Sequence, residues 1–141
     1  MKQKLISLFI GIAINTCCYC QCDTKIILSS TGAEILNKQN EVIIKDTERI
    51  TTIKYDTKKI EIITENNTRL GAIDSIYCNW KIPFKEGKTY IKGRLSFENG
   101  EVWVTTLTIT GKDGKLTLLA DMDHPDANRM LFVLDKFEEN K

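Results

Sequence analysis

The stretch TYIKGRLSFENGEVWVTTLTITGKDGKLTLLAD, residues 89–121, decides the fold. Its apolar and polar side chains alternate over 89–97 and again over 101–110, which is the period of two that a β-strand imposes. Asn99-Gly100 lies between these runs and is a strong hairpin signal, because both residues tolerate a positive φ. After the turn Lys112-Asp113-Gly114, a third run follows. The stretch therefore predicts three consecutive antiparallel strands, a meander.

Similar β patterns occur on both sides of the meander. Residues 50–55 and 59–64 are rich in β-branched side chains around a short polar turn and predict a hairpin. Residues 75–80 alternate so that Ile76, Cys78 and Trp80 share one face. Shorter strands are expected over 25–29 and 41–45. Residues 30–34 have the spacing of a helical cap, with Thr31 and Glu34 three apart.

For the C-terminal segment the sequence allows either a strand or a helix. Residues 129–135 form a dense apolar run that we interpret as the closing strand, although the same residues also fit one face of a helix. Residues 138–141 are expected to be a solvated tail. Together the segments predict an all-β fold: one small antiparallel barrel or two-sheet sandwich of about eight strands. The domain is expected to cover residues 22–141, after an N-terminal signal segment.

Residues 1–21 have the pattern of a secretory leader. Lys2 and Lys4 precede an apolar run over 5–14, which is shorter than the roughly 20 residues that span a bilayer. The alternative is a buried N-terminal helix of the domain. Two processing routes stay open: cleavage before Gln21, or a lipoprotein leader that ends before a lipidated Cys17. The protein is accordingly expected to be exported, as a periplasmic, outer-membrane-anchored or extracellular protein.

Two of the five cysteines remain after cleavage before Gln21. They are Cys22 and Cys78, and in an oxidising compartment they are candidates for a disulfide. Such a bond would contribute roughly 3–4 kcal/mol by restricting the unfolded chain. The alternative is that Cys78 is a buried free thiol that packs as a small apolar residue.

The charge balance bears on the partners. The chain has 20 Lys and Arg against 19 Asp and Glu, and the two signs are interspersed. Nucleic-acid binding normally requires a concentrated basic surface, so no nucleic-acid partner is expected. Contact with a membrane is expected only through a lipid anchor at Cys17.

No catalytic or cofactor motif is present. The acidic loop 121–128 holds the single histidine, His124, but its spacing does not match a calcium-binding loop. No metal site is expected, and Asp121, Asp123 and Asp126 are only weak candidates for metal ligands. The chain contains no nucleotide-binding glycine motif and no nucleophile motif. We therefore expect no cofactor and no enzyme. A small hydrolase would have to use a carboxylate pair, drawn from Glu61, Glu65, Glu86, Glu98, Glu101 and Asp121.

Aromatic and hydroxyl side chains supply the remaining candidates. Trp80 and Trp103 are expected in the core, whereas Tyr77 is the better candidate for a ligand-stacking surface. Asp74-Ser75-Ile76 matches the short D-S/T-x pattern of bacterial O-glycosylation, which makes Ser75 a glycosylation candidate.

The chain resembles the small exported β-domain proteins of unknown function of the Bacteroidota. The resemblance lies in the leader that ends in Cys20-Gln21, the Ile- and Lys-rich hairpin over 50–64 and the meander over 89–121. It implies no catalytic residues. The expected function is non-enzymatic binding of a small apolar ligand or a protein partner at the cell envelope. The alternative is a structural or accessory component of a surface assembly.

Overall fold

The computed structural model describes residues 21–141, and the leader and Cys17 lie outside them. The described part begins with a 3-10 turn, Gln21–Asp23, and continues as nine strands. These are β1 (Ile26–Leu36), β2 (Val42–Tyr55), β3 (Lys59–Thr64), β4 (Asn67–Ile82), β5 (Glu86–Ser96), β6 (Val102–Lys112), β7 (Lys115–Met122), β8 (Arg129–Val133) and β9 (Lys136–Glu139). No helix among the described residues is long and apolar enough to cross a membrane.

The strands form a closed antiparallel barrel. Each strand from β1 to β7 pairs with the next along the chain, and β8 pairs back with β1. Strand β1 pairs along most of its length with β2, from Ile26 opposite Tyr55 to Leu36 opposite Val42. Because it also pairs with β8, it closes the barrel. The barrel is thus one of the two predicted architectures, and the β5–β6–β7 meander is confirmed.

Alternation along the strands decides which side chains enter the barrel. In β5 and β6 every second cross-strand pair points inward, such as Ile91 with Leu107 and Thr89 with Ile109. All four of these residues are buried. The outward residues of the same strands, such as Lys92 and Arg94, are exposed. One sheet face therefore forms the core, as a period of two requires.

One end of the barrel is filled by aromatic rings. The ring of Trp80 lies 5.3 Å from that of Phe137, which in turn lies 4.9 Å from Phe84. Gly87 and Gly111, a cross-strand pair, leave room for the indole. A Cβ atom on Gly111 would lie 2.8 Å from the Trp80 ring, closer than packed atoms approach. This aromatic plug closes that end of the barrel.

A polar network and a disulfide support the plug. The Trp80 indole Nε1 donates a 2.7 Å hydrogen bond to the hydroxyl of Thr89, which is fully buried. The Tyr55 phenol is also hydrogen-bonded to Thr89, and burial raises the pKa of this phenol above its ordinary value despite that bond. Next to Thr89, Cys78 forms a disulfide with Cys22, confirming the predicted pair. The N-terminal 3-10 turn is thereby fastened to the closed end.

The C-terminal run is a strand, as predicted, and the helical alternative is wrong. Residues Arg129–Val133 pair with β7 and with the distal part of β1. The prediction of a solvated tail over 138–141 is wrong for the backbone of Glu138 and Glu139. These residues belong to β9, which pairs with Ile26–Ser29 of β1. Burial of Phe137 against the plug holds this strand in place, while Glu138 and Glu139 keep their side chains exposed.

The helical cap predicted over 30–34 is also wrong, because β1 continues through it. A bulge at Gly32, with φ of 99°, absorbs the irregularity instead. The backbone N–H of Thr31 donates to Asp135, and the Ser30 hydroxyl donates to the carbonyl of Val133. These long-range bonds with the C-terminal strands satisfy groups that an isolated helical turn would leave to solvent.

Removal of the disulfide is expected to lower the free energy of unfolding by about 2–4 kcal/mol, because the bond spans 56 positions of the chain. Urea unfolding of the C22A/C78A double variant measures the loss, and each single alanine variant is the matched control. The single variants should lose as much as the double variant. Unchanged stability in all three, or a non-reducing digest without a linked Cys22–Cys78 peptide, would contradict the assignment.

Candidate functional site

The end of the barrel opposite the plug is hollow. A cavity of about 490 Å³ begins among buried side chains and reaches the surface between β2 and the β3–β4 turn. Glu48, Ile50, Glu65 and Asn66 line it where it opens, and all four are exposed. Ligand pockets commonly measure about 300–1,000 Å³, so the volume is adequate for a small organic molecule.

The deep part of the cavity is mainly apolar, with Thr51 and Thr105 as its buried polar residues. Its apolar walls are formed by inward-facing side chains of six strands. These positions belong to the same sheet face that forms the core. The small side chain of Ala120 leaves space among the larger lining residues. The apolar lining consists of Ile53, Ile62, Leu95, Leu107, Ala120, Met122, Met130 and Phe132.

The mouth of the cavity is polar and holds two arginines. Arg49 is neutralised by Asp46, with 3.2 Å between Nε and Oδ2. Arg69 is half-buried, and its guanidinium lies 4.7 Å from the centre of the Phe97 ring. Within residues 21–141, Arg69 has no carboxylate partner. Of the two arginines that line the cavity, Arg69 is therefore the one without a carboxylate at salt-bridge distance among the described residues.

A row of aromatic rings in contact continues from the Arg69 guanidinium. Phe97 lies 4.4 Å from Trp103, and Trp103 stacks on His124 at 4.1 Å with the rings nearly parallel. The indole of Trp103 donates to Glu101, and hydrogen bonds from Asn99 and from this indole lower the pKa of the Glu101 carboxyl. The stack fixes the Phe97 ring against which the Arg69 guanidinium rests.

Thr51 is a buried polar residue in the cavity wall. It is 3% exposed, and its hydroxyl has no hydrogen-bond partner among the described residues. A buried hydroxyl that has lost water without gaining a partner costs about 1–3 kcal/mol. Thr105, also in the wall, differs because its hydroxyl approaches the carbonyl of Trp103 at 3.4 Å.

The acidic loop does not assemble a cation site. Asp121 is paired with Arg129, at 3.0 Å between carboxylate and guanidinium. His124 is stacked on Trp103, and its Nδ1 accepts a hydrogen bond from the backbone N–H of Asp126. Asp123 and Asp126 are exposed. Residues 21–141 contain no group of three or more His, Cys, Asp or Glu residues placed to hold a metal ion.

The carboxylates considered for hydrolysis are mostly engaged elsewhere. Glu61 pairs with Lys54 and Glu86 with Lys81, both on the outer surface. Glu98 accepts a hydrogen bond from the side chain of Asn67. Of the six, Glu65 alone lines the cavity.

The predicted surface candidates lie outside the barrel. Ser75 is exposed and follows a bulge in β4, where Asp74 is held by Arg94 at 2.8 Å. Tyr77 is 62% exposed and pairs across the strands with Tyr90, so it faces solvent as predicted. Trp80 is buried as predicted, whereas Trp103 is half-buried and does not belong to the buried core.

Sequence reasoning missed the cavity and Arg69. Alternation places Arg69 on the inward face together with Ile62, its cross-strand partner. That charged residue at an inward position was the available signal, but it could be recognised only once the register of β3 and β4 was known.

No protein-family model matches the chain, and comparison with curated proteins and with solved structures finds no similar protein. The functional argument therefore starts from the cavity itself.

The T51V variant is expected to be about 1 kcal/mol more stable than the parent protein, because it removes an unpartnered buried hydroxyl. Urea unfolding at neutral pH measures the change, with T105V as the matched wall control. T105V should gain nothing, since it loses a hydrogen bond. A T51V variant that is less stable than the parent would show that the hydroxyl is satisfied.

Proposed function

We propose that this protein is a non-enzymatic binding protein that holds a small apolar ligand inside its barrel. The proposal is supported mainly by the hollow at one end of the core, which is lined inside mainly by apolar side chains and opens at a polar mouth. Protein interiors are normally close-packed, so a cavity of about 490 Å³ in so small a domain requires an explanation.

The architecture of the two ends supports binding rather than incomplete packing. The closed end is filled by the Trp80–Phe137–Phe84 rings and braced by the Cys22–Cys78 disulfide. The same strands run through both ends of the barrel. A rigid closed end therefore holds these strands apart, so that the open end keeps its cavity. An apolar ligand would gain roughly 25 cal/mol for each Å² of its apolar surface removed from water.

Filling the cavity is expected to weaken ligand binding. The A120F variant places a ring in the hollow, and it should weaken binding of the neutral fluorescent probe N-phenyl-1-naphthylamine by about tenfold or more, which corresponds to 1.4 kcal/mol. V102F is the matched control, because Val102 lies on the same strand pair but is 57% exposed on the outside. Fluorescence titration of the three proteins provides the comparison.

Saturable probe binding by the parent and V102F proteins, but not by A120F, is the expected pattern. Binding that all three proteins share would place the probe on the outer surface and would contradict the proposal.

The proposed location is outside the cytoplasm. A disulfide persists in oxidising compartments and is consistent with export. We infer that the leader is removed and that the barrel acts in the periplasm, at the outer membrane or outside the cell. Intact-mass measurement of the protein purified from cells tests this inference. A mass that begins at Gln21 indicates free secretion, a lipid-modified Cys17 indicates anchoring, and an uncleaved Met1 would contradict export by either route.

A further inference from the structure

Resting on the proposed function, we propose that the ligand is an amphiphile with a single negative charge, a long-chain monocarboxylate whose acid group is bound by Arg69. The aliphatic part of the cavity would take the hydrocarbon chain, and the carboxylate would lie at the mouth.

The charge at the mouth supports this assignment. Two arginines line the cavity, and Arg49 already has a carboxylate partner in Asp46. Arg69 has none within residues 21–141, although it is half-buried next to an apolar wall. Charged side chains are seldom withdrawn from water without a counter-charge. A ligand carboxylate would supply that counter-charge.

The geometry of Arg69 suits a carboxylate. Its guanidinium rests on the Phe97 ring, and the row Phe97–Trp103–His124 holds that ring in place. A guanidinium fixed in this way presents its donors as a planar fork that matches the two oxygens of a carboxylate. Little side-chain entropy remains to be lost on binding, because the stacking already restricts the side chain.

The acids at the mouth limit the charge of the ligand. Glu48 and Glu65 line the cavity and are exposed, in addition to the paired Asp46. Like charges repel, and the repulsion grows with the number of charges on the ligand. A single negative charge is therefore compatible with this mouth, whereas a multiply charged head group is disfavoured.

The test compares dodecanoic acid, dodecanol and dodecylamine as competitors of N-phenyl-1-naphthylamine. In the parent protein the acid should bind most tightly. The R69Q variant should lose about tenfold in affinity for the acid, the effect of one charged hydrogen-bonding contact. Its affinity for dodecanol and for the neutral probe should be unchanged, which also shows that the variant is folded.

Two further variants sharpen the test. R94Q is the matched control, because the Arg94 guanidinium is paired with Asp74 on the outer surface, away from the cavity, and this variant should retain the preference for the acid. R69K keeps the charge but not the planar fork, so it should recover part of that preference.

Equal affinity of the parent protein for acid and alcohol would overturn the head-group inference and leave the proposed function intact. An R69Q variant that weakens both competitors equally would do the same. Failure of the parent protein to bind the probe and all three competitors would overturn the proposed function, and this inference with it.

Discussion

Closure of the sheet through β1 is the constraint on which the rest of the structure depends. Strand β1 pairs with β2 on one side and with β8 and β9 on the other, so the sheet closes on itself. Closure turns the two faces of the sheet into an inside and an outside. Every inward side chain must then share a limited interior, and the sizes of those side chains determine where the interior is full.

The barrel has two different ends because the rings of Trp80, Phe84 and Phe137 fill only one of them. Trp80 and Phe137 occupy the closed end, where the paired glycines Gly87 and Gly111 make room for the indole. At the other end the inward positions include Ala120, Thr51 and Thr105, which are too small to meet across the barrel. A cavity follows from this arrangement, and its opening falls where polar residues replace aliphatic ones.

The sequence predicted the architecture well, because strand alternation is a local property. Residues 89–121 form the meander, and the Cys22–Cys78 pair forms the disulfide. The errors fell where distant partners decide the local structure: residues 30–34 stay extended because Asp135 and Val133 bind them, and the tail is ordered because Phe137 packs on the plug. Arg69 was missed for the same reason, since only the three-dimensional register shows that it faces the hollow.

The central claim is that the inward face near the open end surrounds a space that an apolar chain can enter. Nuclear Overhauser contacts between bound dodecanol and ¹³C-labelled protein methyl groups test it most directly. The account predicts contacts to Ile53, Ile62 and Leu107, which line the hollow, and none to Val42 or Val133, which are exposed outside it. Contacts confined to those outer residues, with none inside, would contradict it.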